Sequence, residues 1–566
     1  MLALRLLGLA PPAMRPGLVR ALSPRQRRWL IQYLARHGAG RGGGTAAVLA
    51  TTSPVQARRH NLNEVMATLD AAGVPYFRVP HAPEQRTRLA VPTGHRDATL
   101  AALGSPRLAR AQVRGWTAST RPRCVPVRDA AVVTVYWPVT NADRSMLLGE
   151  EVACDIELWT EDGDALVSPR QPPVTPLVRR DSPMYLAADR DFDQFSAAGD
   201  DGVRFPTRRE LMLAGMDWVR FPVDAVYTWV DGEDPRWQQR QAAALEANGW
   251  AGGRPQTTNA PRFICHDELR YSLRSLHYFA PWVRRIFLVT DAQVPDWLDT
   301  SHPQVTVVDH REIFGDTGRL PTFNSHAIES RLHHIPGLAE HFLYLNDDVF
   351  FGRPQTPDQY FLPNGIAWFF PSSMPVDAGS PGSEDPPVMC AGKNNREVVA
   401  RQFGRLLTQK IKHTPHSLRR SVLAEIERGC AELVRATSGH QFRHPADISI
   451  PSSLHHYWSY LTGRSVPGDI RYTYTDLDDP RTPLLLANLL WRRHQDVFCL
   501  NFTEAADHSL SDVAAMLADF LPRYFPFPSP YELPDAPALL ADVAVAPQQT
   551  RPELPAAVAP ADVPVR

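Results

Sequence analysis

The stretch HFLYLNDDVFFGRP, residues 341–354, decides the fold. It opens as a short apolar run suited to a buried strand, breaks at Asn346, Asp347 and Asp348, and resumes with Val349, Phe350 and Phe351. Two adjacent carboxylates between apolar runs repel each other and resist leaving water, so something must compensate them. A divalent cation is the simplest compensation. The other is a turn in which Asp347 or Asp348 accepts local backbone hydrogen bonds.

Three further apolar runs end the same way: 223–230 on Asp231 and Gly232, 286–290 on Asp291, and 305–308 on Asp309. Between them Leu269, Leu273, Leu276 and Ala280 repeat at a spacing that makes one apolar helical face. Strands alternating with helices predict an α/β, Rossmann-like domain with a largely parallel sheet and right-handed crossovers. Every strand of such a sheet delivers its last residue to the same ligand-binding edge. Four acidic strand ends are therefore expected on one rim, a pattern suited to a cation and a phosphate.

The chain has 566 residues, enough for two or three domains of ~100–200 residues each. Its 60 basic residues balance 61 acidic ones, for a net charge of -1, so no global field draws it to nucleic acid. The six cysteines have neither CxxC nor zinc spacing and read as reduced core residues of a cytoplasmic protein. The opening MLALRLLGLAPPAM is too short and too interrupted for a signal peptide, and no later run approaches ~20 apolar residues. An amphipathic segment at 25–33 fits a solvated helix, or peripheral contact at the inner membrane face.

Residues 1–44 read as a basic, partly helical leader ending in a flexible glycine run. Residues 45–205 read as a smaller α/β or α+β accessory domain, with a strand at 45–52, a helix at 55–72 and a strand at 74–79. Nothing catalytic stands out in it. A catalytic domain with helical additions spans 220–535, and the Ala-, Pro- and Val-rich tail 536–566 reads as disordered. The catalytic domain opens with DAVYTWVDGEDPRW from Asp224, where Gly232 permits a tight turn and close approach of backbone to a ligand.

Four blocks carry a family resemblance. YTWVDGEDP at 227–235, ELRYSLRSLHYFAPWVRRIFLVTD at 268–291, LPTFNSHAIESRLHHIPGL at 320–338 and FLYLNDDVFFG at 342–352 resemble the first two motif regions of the Stealth family. HTPHSLRR at 413–420 with HQFRHPADI at 440–448 resembles the third, and DVFCLN at 496–501 with LADFLPRYFPFPSPYE at 517–532 the fourth. The resemblance implies a sugar-phosphate transferase. Such an enzyme takes a nucleotide sugar, usually UDP-linked, cleaves its pyrophosphate, joins the sugar phosphate to a glycan hydroxyl and releases nucleoside monophosphate, with Mg2+ (or Mn2+) assisting.

The residues can be read toward that chemistry. Asp347 and Asp348 are the expected metal ligands, since hard oxygen donors suit magnesium. Asp231 and Asp234, flanking Gly232, complete a cation or ribose site or else are plain loop carboxylates. Glu329 becomes an active-site polar group through the family match to AIES, and Asn324 and Ser325 at that helix start are candidates to offer backbone donors to a phosphate. His326, His333 and His334 share a short helix without cysteine partners and read as exposed or packing side chains rather than zinc ligands.

His416, placed just before an expected helix whose N-terminus would keep its imidazole neutral, matches the family's third region as general base, with His413 the fallback. Arg443 is assigned to the pyrophosphate or leaving phosphate, with a salt bridge to Asp447 the alternative. His455 and His456 read as packing or sugar-stacking groups. Asn501 is a polar strand-end contact. Phe502 departs from the aspartate many relatives carry after Cys-Leu-Asn, and Glu504 is the residue placed to take over that task. A metal-dependent glycosyltransferase releasing nucleoside diphosphate, and a non-catalytic glycan-binding protein, are the other function classes.

Overall fold

The structure, a computed structural model, describes residues 46–534 apart from 82–85, 120, 171–173, 200–201, 213–214, 251–262, 383–384 and 503–509. The expected leader, its segment 25–33, Glu504 and the tail 536–566 lie outside the described residues. Among the described residues no helix is long and apolar enough to cross a membrane. All six cysteines are unpaired, and Cys124 is exposed rather than in the core.

The N-terminal unit is built on the nine-residue strand Cys154–Asp162, which pairs antiparallel with Val132–Tyr136 and Ala165–Val167 and parallel with Thr87–Pro92. Helix Pro54–Ala71 starts where the Ser53 hydroxyl accepts from the Gln56 amide, with proline in its first turn. It shares an apolar core with the sheet, Leu62, Val65 and Leu69 with Val133, Val135, Ile156 and Leu158. The expected strand 45–52 contracts to Ala47–Val48, both exposed: with no core face to bury, its apolar run holds only two ladder positions against Val139 and Thr140. The unit buries charge in pairs, as a low dielectric demands: Arg58 with Asp193 at 2.8 Å and Arg78 with Asp189 at 2.6 Å. Met146, Leu148 and Val152 join the same core cluster as Tyr227 and Leu269, so this unit packs directly onto the next.

The second unit carries a five-stranded sheet. Four parallel strands, β1 (Val223–Thr228), β2 (Ile286–Thr290), β3 (Val305–Asp309) and β4 (His341–Asn346), stand in the order 3-2-1-4. β1, β2 and β4 are apolar runs covered on both faces, which is why none alternates in polarity, whereas β3, at the sheet edge, exposes Thr306. Asp347 and Asp348 turn β4 into β5 (Val349–Phe351). The fifth strand, β6 (His416–Arg419), lies antiparallel against β4 and opposes Tyr344 with His416. The connections run outward from β1 through β2 to β3 and then jump across to β4. The topological switch point therefore falls between β1 and β4, where open α/β sheets bind ligands.

Helix α1 (Pro235–Ala247) follows β1, and α2 (Glu268–Phe279) precedes β2. Buried Arg270 and Arg274 of α2 both reach Glu532 at 2.6 Å, fastening the segment that holds Phe527 and Tyr531 in the core. A second small sheet joins β5 antiparallel to β8 (Val497–Asn501), which runs parallel to β7 (Tyr472–Asp476).

Candidate functional site

The Asp347–Asp348 turn sits at the switch point, and the second sheet brings its partners. Pairing of Val349 with Cys499 places the end of β8 beside Asp348. One Asp348 oxygen accepts from Asn501 Nδ2 at 2.8 Å and from the Cys499 thiol at 3.3 Å; the other accepts from His413 Nε2 at 3.2 Å. Burial works to raise the Asp348 pKa, but the charge and hydrogen bond of His413 outweigh it and hold the carboxyl below its usual range. His413 moves the opposite way: burial works to lower its pKa, and Asp348 nevertheless lifts it above the usual imidazole value.

Asp347 has no side-chain donor among the described residues. Burial, followed by the Asp348 charge, pushes it up to about 7. Glu268, the first residue of α2, is pushed up to about 8 by burial and then by Asp347, and accepts from the His266 amide at 2.6 Å. The preceding Asp267 adopts a left-handed φ of 63°, a strained conformation for a non-glycine residue. Asp347 and Glu268 are short of positive charge, and the adjacent Asp347 and Asp348 offer hard oxygen donors of the kind that suit magnesium, while the donor atoms that lie within 4.8 Å of one another at this turn are those of Asp348, His413 and Cys499.

The remaining acidic strand ends are committed elsewhere. Asp291 pairs with Arg240 of α1 at 2.9 Å, and Asp309 caps the helix His310–Phe314 in a capping box with Glu312. Asp234 caps α1 through the Arg236 amide and accepts from Gln293 with its other oxygen, while Asp231 accepts from the Glu233 amide. The expected convergence of four strand-end carboxylates thus reduces to the Asp347–Asp348 turn, joined by Glu268 from a helix start. Gly232 is required by its own chain: a Cβ there would lie 2.3 Å from the Phe263 carbonyl oxygen, so the close approach is to backbone and not to a ligand.

The short helix α3 (Ser325–Glu329) meets β4 through the Glu329–Tyr344 contact. Asn324 caps the helix, its side-chain oxygen accepting from the His326 amide, donates through Nδ2 to Asp447 at 2.8 Å, and gives its backbone N–H to the Thr322 hydroxyl at 3.3 Å. Arg443 donates to the Ser325 hydroxyl at 2.9 Å, one turn of α3 from Glu329. Buried Glu329 accepts from Ser452 at 3.0 Å and from the Tyr344 hydroxyl at 3.4 Å. Asp447 turns inward to His440 at 2.6 Å and to the His444 amide at 2.9 Å, knitting the Arg443 loop to α3.

Burial works to raise the Asp447 pKa, but His326, 3.6 Å away, and the His440 hydrogen bond win and bring it down to about 2. A carboxyl depressed on folding stabilises above its unfolded pKa and loses that contribution as pH falls toward its folded value. Asp447 therefore contributes about 2 kcal/mol at neutral pH, lost between roughly pH 4 and pH 2. Asp447→Asn is expected to lower stability at pH 7 by about 2–4 kcal/mol and to flatten the acid limb, read by urea denaturation at several pH values. An unchanged acid limb would refute this.

His416 corrects the expectation of a helix N-terminus. It opens β6, and the helix α4 (Arg420–Gly429) begins only four residues later. Its ring is buried, its Nδ1 lies 3.0 Å from His456 Nε2, and its Nε2 has no hydrogen-bond partner among the described residues. Burial, then the neighbouring His456 and His413, pushes its pKa well below the usual value. The low pKa thus arises from desolvation and not from a helix dipole. His455 and His456 begin α5 (His455–Leu461); both are buried, and His455 accepts from the Arg419 amide. Phe502 packs against the core cluster beneath β8.

Sequence reading missed Glu268, Cys499 and the His416–His456 pair. Glu268 had a signal, a charged His-Asp-Glu trio opening an amphipathic helix, whereas Cys499 arrives by strand pairing and His456 by the packing of α5 on β6, neither with a local mark.

These groups define an α/β protein with an acidic turn at the switch point of its sheet. Four family profiles match the chain: Stealth protein CR1, conserved region 1, at 221–249; CR2, conserved region 2, at 262–369; CR3, conserved region 3, at 412–460; and CR4, conserved region 4, at 487–541. The chain is 45% identical over 527 residues to exopolysaccharide phosphotransferase SCO6023 of Streptomyces coelicolor, covering 90% of this chain and 88% of that one. It is 41% identical over 547 residues to exopolysaccharide phosphotransferase SCO2594 of the same organism, covering 88% and 89%. The chain belongs to the Stealth family. Among solved structures it is similar to the galactosyltransferase LgtC with donor and acceptor sugar analogues, at 12% identity, a TM-score of 0.24, and coverage of 49% and 87%.

Proposed function

We propose that the protein transfers a sugar 1-phosphate from a nucleotide sugar, UDP-linked, to a hydroxyl of an exopolysaccharide. The names of its relatives, exopolysaccharide phosphotransferases, support the reaction class. The observation that carries the reading is the division of two histidines three residues apart. His413 is bound to Asp348 with a raised pKa, and His416 is buried with a lowered one. Environments that separate the pKa values of neighbouring groups mark acid and base roles.

Asp347 and Asp348 would hold the cation, with Asn501 and His413 orienting Asp348. When bound, magnesium neutralises charge on the two phosphates of the donor. Donation from His416 Nδ1 to His456 leaves the lone pair on His416 Nε2, which takes the proton of the acceptor hydroxyl. The hydroxyl oxygen forms a bond to the sugar-bearing phosphorus, and the bridging bond between the two phosphates breaks. Arg443, its fork of donors anchored on Ser325, stabilises the departing nucleoside monophosphate. Glu329, bonded to Tyr344 and Ser452, lines the acceptor side.

The test is to incubate the protein with magnesium, a polysaccharide acceptor and a panel of nucleotide sugars, then identify the nucleotide released. Monophosphate, with phosphorus retained in the polymer, is the expected result. Release of nucleoside diphosphate would replace this reading with an ordinary glycosyltransferase.

A further inference from the structure

The adjacent histidines 333 and 334, expected as exposed or packing side chains, meet a third group that no local pattern announced. They lie in the single turn Leu332–His334 that follows α3, and Glu427 of α4 reaches both. His333 Nε2 lies 2.7 Å and His334 Nε2 3.0 Å from the same carboxylate oxygen. The three donor atoms all lie within 4.8 Å of one another. Arg331 takes the other oxygen of Glu427 and donates through Nε to the Ile313 carbonyl at 3.2 Å, which fixes the carboxylate's orientation.

The two imidazoles face each other with ring centres 4.1 Å apart. Two cationic rings at that separation would repel, and burial holds the His334 ring below the usual imidazole pKa. As neutral rings they can each donate an N–H to that oxygen, and in the other tautomer the same Nε2 atoms turn lone pairs toward it, a convergence that a single cation would satisfy. Two nitrogens and one carboxylate oxygen form a zinc-type donor set, too nitrogen-rich for magnesium or calcium. Donors at ~2.0–2.1 Å around a tetrahedral zinc stand roughly 3.3 Å apart, so uptake would widen the His333 spacing to Glu427 by about 0.6 Å and the His334 spacing by about 0.3 Å. His333 is buried and His334 half-exposed, so the fourth position opens to solvent and takes water. The second nitrogen of His333 is buried without a hydrogen bond, so its tautomer is set from the Nε2 side alone.

We propose that His333, His334 and Glu427 form a zinc site that clamps the turn after α3 to α4. The clamp ties the element carrying Glu329 to the one following His416, and it stands independently of the proposed reaction. It differs from the cluster of Asp348, His413 and Cys499, whose donor atoms also lie within 4.8 Å of one another.

The test uses the full chain stripped with a chelator and titrated with zinc against a chromophoric competitor, with thermal melts in parallel. Wild type and Asp348→Asn are both expected to take up a zinc equivalent that raises the melting temperature. His334→Ala, at a half-exposed position, and Glu427→Gln are expected to weaken that equivalent at least tenfold. Zinc uptake unchanged in His334→Ala would overturn the proposal, as would loss of all zinc binding in Asp348→Asn.

Discussion

Asp348→Asn is expected to lower turnover at saturating magnesium by about a thousandfold or more, while in the metal-free protein loss of the His413 ion pair is offset by relief of the repulsion with Asp347, so that its melting temperature stays near that of the wild type. The two halves of this expectation come from one geometry. Asp348 is the carboxylate whose charge, after burial, pushes Asp347 up to about 7, so its neutralisation relieves a repulsion between adjacent groups. The new amide also fits its surroundings. Its oxygen can keep the His413 donor, and its NH2 can turn to Asn501, whose own Oδ1 is buried without a partner and becomes an acceptor. What is lost is one of two anionic oxygen ligands, and the magnesium activation curve should move to higher concentration. Turnover against magnesium concentration, paired with melts in chelator, separates the effects. A variant that melts much lower and works normally once refolded would mean that the turn is a folding element with no ligand.

The fold was legible because four apolar runs of strand length alternate with helical spacing, and β4 ends at the break that its sequence shows. The rim was less legible, and the reason differs residue by residue. Asp309 stands three residues before Glu312, a capping-box signature that explains it locally, and Asp234 before proline is equally a helix cap. Counting Asp309 among strand ends gathered at a ligand overlooked that local role, and for Asp234 the cap is the loop-carboxylate alternative of the sequence reading. Asp291 could not have been resolved, because its partner Arg240 lies 51 residues away on α1. His416 was misplaced because β6 is only four residues long and draws its strand character entirely from its pairing with β4. An edge strand of that length has no periodicity to detect. The unsettled choice between a salt bridge to Asp447 and a phosphate role for Arg443 turned on a buried network. Asp447 is engaged by Asn324 and His440, and Arg443 reaches Ser325. Glu427 is the plainest case of tertiary information, since nothing near it in sequence marks it as the group that two histidines share.

His416→Ala is expected to reduce turnover by about a hundredfold to ten-thousandfold with little change in nucleotide-sugar KM, the range for removing a general base. The wild-type pH profile carries the sharper signature. Burial is the largest cause of the His416 shift, and the neighbouring imidazoles add to it, so the ring stays unprotonated well below the usual imidazole pKa. A base whose pKa is lowered keeps its proton-accepting form as pH falls, and turnover should hold from pH 8 down to pH 6 without an acidic limb from this group. Were His413 the base instead, its raised pKa would leave it protonated near neutrality, and turnover would fall as pH dropped from 8 to 6. The substitution also leaves His456 Nε2 without its partner, which costs about 1–3 kcal/mol of stability, so turnover is compared at a temperature where melts show both proteins folded. A profile that declines through pH 7 in the wild type and is unaltered in His416→Ala would transfer the proton-accepting role to His413 and make His416 a packing group between β4 and α5.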